Sequence, residues 1–136
     1  MFDLAGKTIL VGGHRGLVGS ALLRRLACED CRILTVGRET LDLTRQAEVE
    51  AFIATARPDA IIIAAAKVGG ILANQRLPAD FLHDNLMIAA NIIAAAHRNG
   101  VERLLYLGSS CIYPKDAAQP IDEEAGSCLS KIVQSI

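Results

Sequence analysis

The 136 residues suit one domain, and 51% hydrophobic against 21% charged residues is a globular composition rather than a disordered one. A net charge of −1 and a pI near 6.3 leave no basic excess for a phosphate backbone, so nucleic-acid binding has no electrostatic support. The longest apolar run, Ala60 to Ala66, is too short to span a bilayer. No basic segment precedes an apolar one at Met1-Phe2-Asp3-Leu4, so the expectation is a cytoplasmic protein with no membrane partner.

Lys7 to Gly12 is apolar, β-branched and stopped by glycine, which predicts a short buried strand. Gly13-His14-Arg15-Gly16-Leu17-Val18-Gly19 then opens a helix to about Ala27, with Val18, Leu22 and Leu26 as its apolar stripe. Cys28 and Cys31 form a Cys-x-x-Cys at the end of that helix. A structural zinc would need a second ligand pair, and a redox motif of the thioredoxin type would open a helix. Two ordinary thiols and no metal site are therefore expected. Arg32 to Val36 predicts a second strand, and Val49, Phe52 and Ile53 a helix over Glu48 to Ala56, broken by Pro58-Asp59. Ala60 to Ala66 is apolar at every position, as befits a third strand covered on both faces. A longer connection, Lys67 to Ala79, leads to a helix over Phe81 to Asn99. There Leu82, Leu86, Ala89, Ile93 and Ala96 recur at helical spacing, and Asn99-Gly100 caps the end. Val101 to Leu107 predicts a fourth strand, and nothing periodic follows Tyr113-Pro114.

Strands alternating with helices predict right-handed parallel crossovers. The expected fold is α/β, a partial Rossmann-like doubly wound parallel sheet of about four strands in the order 3-2-1-4. Residues 1–114 would form the dinucleotide-binding part and residues 115–136 an irregular tail. In the glycine turn, Gly13 takes the angles of a tight turn, Gly16 lets main chain approach a pyrophosphate, and Gly19 lets helix and strand pack closely. Helix-start N–H groups and the helix dipole then face the anion. A ligand-free strand–helix turn is the alternative. After the second strand comes Arg38, near the place where NAD-selective folds carry an acid. A guanidinium there suits a 2′-phosphate, which favours NADP(H), while Glu39 beside it keeps NAD open.

Four ordered motifs carry a sharper resemblance: Gly13 to Gly19, Ala64-Ala-Ala-Lys-Val-Gly-Gly-Ile71, Pro78-Ala-Asp-Phe81 and Leu107-Gly-Ser-Ser-Cys-Ile-Tyr-Pro114. From about Lys7 to about Glu124 the chain resembles the GDP-L-fucose synthase family of the extended short-chain dehydrogenase/reductase superfamily. The resemblance implies NADPH-dependent epimerisation and reduction of GDP-4-keto-6-deoxy-D-mannose. It makes Ser109 the serine that hydrogen-bonds the keto oxygen and Cys111 the group that moves protons at the epimerised carbons. It places Gly13, His14, Arg15, Gly16, Leu17, Val18, Gly19, Arg38, Ala65, Leu107, Gly108 and Ser110 at the cofactor and Lys67 beside cofactor and substrate. Asn91 would support the active-site backbone, while His83 and His97 read as helix surface. The partners it implies are a GDP-sugar and, as in the family, a second copy of the chain, for which these residues give no support.

The superfamily's Tyr-x-x-x-Lys pair is not in this sequence: Tyr106 is followed four later by Ser110, and Tyr113 by Ala117. After about Ala125 the chain no longer looks like the family. It therefore reads as a truncated N-terminal part whose fourth strand is an uncovered edge. A non-catalytic dinucleotide-binding half-fold and a non-functional remnant are the alternative readings.

Overall fold

The structure is a computed structural model that describes residues 2–109, 113 and 116–122. Two compact units divide the chain, Met1–Tyr106 and Leu107–Ile136. The first holds β1 (Thr8–Gly12), α1 (Leu17–Leu26), β2 (Arg32–Val36), α2 (Gln46–Ala56), β3 (Ala60–Ile63), α3 (Ile71–Arg76), α4 (Pro78–Arg98) and β4 (Arg103–Tyr106). The expected tail lies for the most part outside the described residues. No helix among the described residues is long and apolar enough to cross a membrane.

The strands form one parallel sheet in the order β2-β1-β3-β4. The class is the expected one, but the order differs from 3-2-1-4. The third strand lies beside β1, with Ile9 paired to both Ile33 and Ala60, and the fourth lies beyond it, with Ala60 paired to Arg103. The physical reason is burial. Ala60, Ile61 and Ile63 are all buried, and a strand apolar on both faces is stable inside a sheet, not at its margin. The chain therefore steps outward once, from β1 to β2, and reverses.

Alternate residues of β1 enter two cores, as a strand with period two requires. Leu10 packs with Ile61 and Ile63 of β3, Val49 and Ile53 of α2, and Ile88, Ile92, Ala95 and Ala96 of α4. Ile9 and Val11 pack on the other face with Ala60 and with Leu26 of α1. Within the α1 stripe Leu26 is buried, but Val18 is half-exposed at the start of the helix. The long helix also turns differently from its expected stripe. Ala96 is buried, yet Leu82, Leu86 and Ile93 are exposed, and the packed face is Ile88, Asn91, Ile92 and Ala95. This helix is apolar on more than one side, so spacing does not select the side that packs.

The third strand stops at Ile63 instead of Ala66. Ala64 N–H still donates to the Gly12 carbonyl at 2.9 Å, but the chain then leaves the ladder. The connection after it holds α3, six residues between Gly70 and Leu77, too short to show a period in sequence. The cysteine pair follows α1 as expected. Both thiols are free, and Cys28 and Cys31 donate weakly to the Arg24 and Leu26 carbonyls at 3.7 and 3.8 Å.

Candidate functional site

A cleft of about 500 Å³ opens where β1, β2 and β3 end. That is the switch point of the sheet, since the chain steps from β1 to β2 on one side of β1 and then returns to β3 on the other. The glycine turn forms its floor. Gly13 has φ +79, and a Cβ there would come within 2.5 Å of the Ala64 carbonyl group. Gly19 is buried, and a Cβ would collide with the Gly13 carbonyl and the His14 backbone. Gly16 is different. Its φ of −76 is open to any residue, and a Cβ would stand 3.3 Å from the Gly13 oxygen, a far milder contact than those at Gly13 and Gly19. The fold itself therefore demands glycine at both ends of the turn more than in its middle.

Helix α1 begins at this turn with no side-chain cap and no acidic residue in its first turn, so its positive end faces the cleft uncompensated. His14 lines the cleft, and its Nδ1 is buried without a hydrogen-bond partner. An uncapped helix start, a glycine floor and an orphaned polar atom together fit a bound phosphate group.

The walls come from three further segments. Arg38 lies past the end of β2 with Glu39, whose carboxyl is held below the ordinary carboxylate range by its own backbone amide and then by Arg15. Asp42 accepts the Thr44 amide and hydroxyl at 3.0 and 2.8 Å, which fixes the turn into α2 and keeps Asp42 ionised beside Arg38. Asn91 is buried on α4 and donates to the Leu43 carbonyl at 3.0 Å, holding this wall from behind. The backbone it supports is thus that of the stretch after β2. His83 and His97 are exposed on the same helix, as expected.

After β3, Ala64 to Val68 form the opposite wall, which brings Ala65 and Lys67 to the cleft. Lys67 is not a solvated loop lysine. Its ammonium pairs with Asp84 at 2.8 Å and lies 5.4 Å from the centre of the Phe81 ring. That ammonium, and then His83, hold the Asp84 carboxyl low. Asn85 grips the Lys67 backbone at two points, accepting its N–H at 2.7 Å and donating to its carbonyl at 3.0 Å. Asp84 and Asn85 were not singled out by sequence reasoning. Their signal is the polar run His83-Asp84-Asn85 between apolar stretches of the helix.

The cleft thus gathers Gly13 to Val18, Arg38, Ala65 and Lys67, with Gly19 buried beneath. Leu107, Gly108 and Ser109 follow β4 in the second unit, and Ser110 and Cys111 lie outside the described residues.

Residues 9–130 match the NAD dependent epimerase/dehydratase family. The chain is 61% identical over 125 residues to a GDP-L-fucose synthase of Sinorhizobium fredii, covering 92% of this chain and 40% of that protein. It is 49% identical to the Escherichia coli GDP-L-fucose synthase over 88% of this chain and 38% of that one. Among solved structures, a GDP-mannoheptose C4 reductase from Campylobacter jejuni with NADP bound superposes with a TM-score of 0.84 at 32% identity, covering 92% of this chain and 40% of that one. A GDP-L-fucose synthetase from Naegleria fowleri bound to NADP gives 0.79 at 28% identity, over 91% and 38%. The chain spans about two fifths of the length of the curated relatives it matches.

Proposed function

Because the chain belongs to the NAD dependent epimerase/dehydratase family, we propose that it forms the NADP(H)-binding part of an epimerase-reductase that converts GDP-4-keto-6-deoxy-D-mannose to GDP-L-fucose. The observation that carries the reading is the floor of the cleft: an uncapped helix start over a turn whose first and last glycines admit no side chain. The curated relatives named as GDP-L-fucose synthases and the structures with NADP bound support the choice of cofactor and substrate. In this reading the amides of Leu17 to Gly19, at the start of α1, and the His14 ring hold the pyrophosphate, and Arg38 takes the 2′-phosphate. When bound, the cofactor supplies the hydride for reduction at C4. Ser109 hydrogen-bonds the keto oxygen, and Cys111 moves a proton at a carbon acidified by that ketone. Lys67 serves the substrate side in this reading, a role supported by its place in the cleft wall, where Asp84 and Asn85 hold it.

A second reading is a dinucleotide-binding half-fold without turnover. It is favoured by one observation, that no tyrosine in these residues is followed four later by lysine. Calorimetric titration of the purified chain with NADPH and with NADH tests the common core of both readings. Saturable binding that prefers NADPH is expected, and binding of neither overturns them. An assay of keto-sugar reduction then separates the two.

A further inference from the structure

Arg15 of the glycine turn and Glu39 past the end of β2 clasp each other at the rim of the cleft. The Arg15 Nη2 and Nη1 atoms stand 2.5 and 3.3 Å from the two carboxylate oxygens. The clasp depends on Gly37, where a Cβ would overlap the Glu39 carboxylate. It is no buried structural pair, since the side chains are 71% and 55% exposed. Both residues line the same cleft as Arg38. The rim therefore holds the Arg15 and Arg38 guanidiniums with two carboxylates, Asp42 near Arg38 and Glu39 on Arg15, and Glu39 is the one whose side chain is hydrogen-bonded to a guanidinium.

We propose that Glu39 is a specificity-determining residue, an internal anion that holds Arg15 until a 2′-phosphate displaces it and so tempers the preference for NADPH over NADH. The inference rests on the cofactor reading above. A phosphate monoester carries about −1.5 to −2 charges and three acceptor oxygens, so it outcompetes a single carboxylate for Arg15. Displacement costs the Arg15–Glu39 pair and leaves Glu39 facing the incoming charge. A ribose hydroxyl brings no charge and leaves the pair intact, with a carboxylate lone pair still open to accept from it. Glu39 therefore weakens the phosphate-bearing cofactor more than the other.

The test is the ratio of NADPH to NADH affinity in the full chain and in Glu39→Gln, with Glu39→Ala as a second variant, each checked for an unchanged thermal transition. The ratio is expected to rise about two- to fivefold, the scale of one exposed ion pair, chiefly through tighter NADPH binding. Adenosine 2′-monophosphate should gain in the same proportion, and adenosine 5′-monophosphate should not. An unchanged ratio, or an equal change for both cofactors, overturns the proposal and leaves the cofactor reading standing. Failure of the unaltered chain to bind either cofactor takes down both.

Discussion

At the scale of single residues the three glycines of the turn look alike in sequence and differ in what the fold requires of them. Gly19 is pressed against the backbone of Gly13 and His14, so Gly19→Ala forces main chain apart. A loss of about 1–3 kcal/mol in urea unfolding is expected, the scale of overpacking a tight contact. Gly16→Ala meets a single 3.3 Å contact at an ordinary φ. Its stability should stay within about 0.5 kcal/mol of the parent, while on the proposed cofactor reading NADPH affinity falls, because that reading brings the pyrophosphate to this main chain. Equal loss of stability in both variants would remove the distinction between a glycine the fold needs and one the ligand needs. The spacing made the turn legible, but steric demand depends on what packs behind each Cα, and that is a tertiary fact. The same holds along the walls. Arg38 and Lys67 were visible as cations in suggestive places, whereas the grip of Asn85 on the Lys67 backbone joins residues eighteen apart and leaves no local signature.

At the scale of elements, the alternation of apolar runs and amphipathic stretches was enough to read the parallel α/β class, and Arg32 to Val36 falls as expected. The order of strands was not legible, because a right-handed crossover can pack β3 on either side of the sheet's first pair. What decides is that β3, Ala60 to Ile63, is apolar on both faces and so is stable only with a strand on each side. The order has a mechanical consequence. Ile61 sits in the interior strand and is fully buried, while Leu105 on the marginal β4 is half-exposed. Ile61→Ala should cost about 2–5 kcal/mol and Leu105→Ala less than about 1 kcal/mol, read as shifts in the urea midpoint at constant slope. Comparable losses at the two sites would place β3 at a margin after all. The face of α4 was illegible for a related reason. A helix with leucine, isoleucine and alanine on several sides offers more than one stripe, and only contact with α2 and the sheet selects Ile88, Ile92 and Ala95.

At the scale of the whole molecule, charge ties together segments that the hydrophobic pattern leaves apart. At the N-terminal ends of the strands Lys7 pairs with Asp59 at 3.3 Å and Glu102 at 2.7 Å, while Asp59 also accepts the Thr8 amide at 2.8 Å. One lysine thus joins the segments entering β1, β3 and β4. The Thr8 amide, and then Lys7, hold Asp59 below the ordinary carboxylate range; Arg98 does the same for Glu50 and Lys67 for Asp84. Glu102 and then Asp59 raise Lys7 above its ordinary value. The signs follow from linkage. A carboxylate depressed in the folded state contributes stability that is present above its unfolded pKa, near 4, and is lost as pH falls through the folded value. A raised lysine contributes stability that is present below its unfolded pKa, near 10.4, and is lost as pH rises through the folded value. The melting temperature should therefore be flat across neutral pH, fall below about pH 4 and fall again in strong alkali. Asp59→Asn removes one depressed carboxylate and one partner of the raised lysine together. It should lower the neutral plateau and soften both limbs, because the amide does not titrate and carries no charge to attract the ammonium. The readout is melting temperature against pH for parent and variant in low salt. Limbs of unchanged steepness in the variant would mean that the Lys7 network does not couple these three strands to pH.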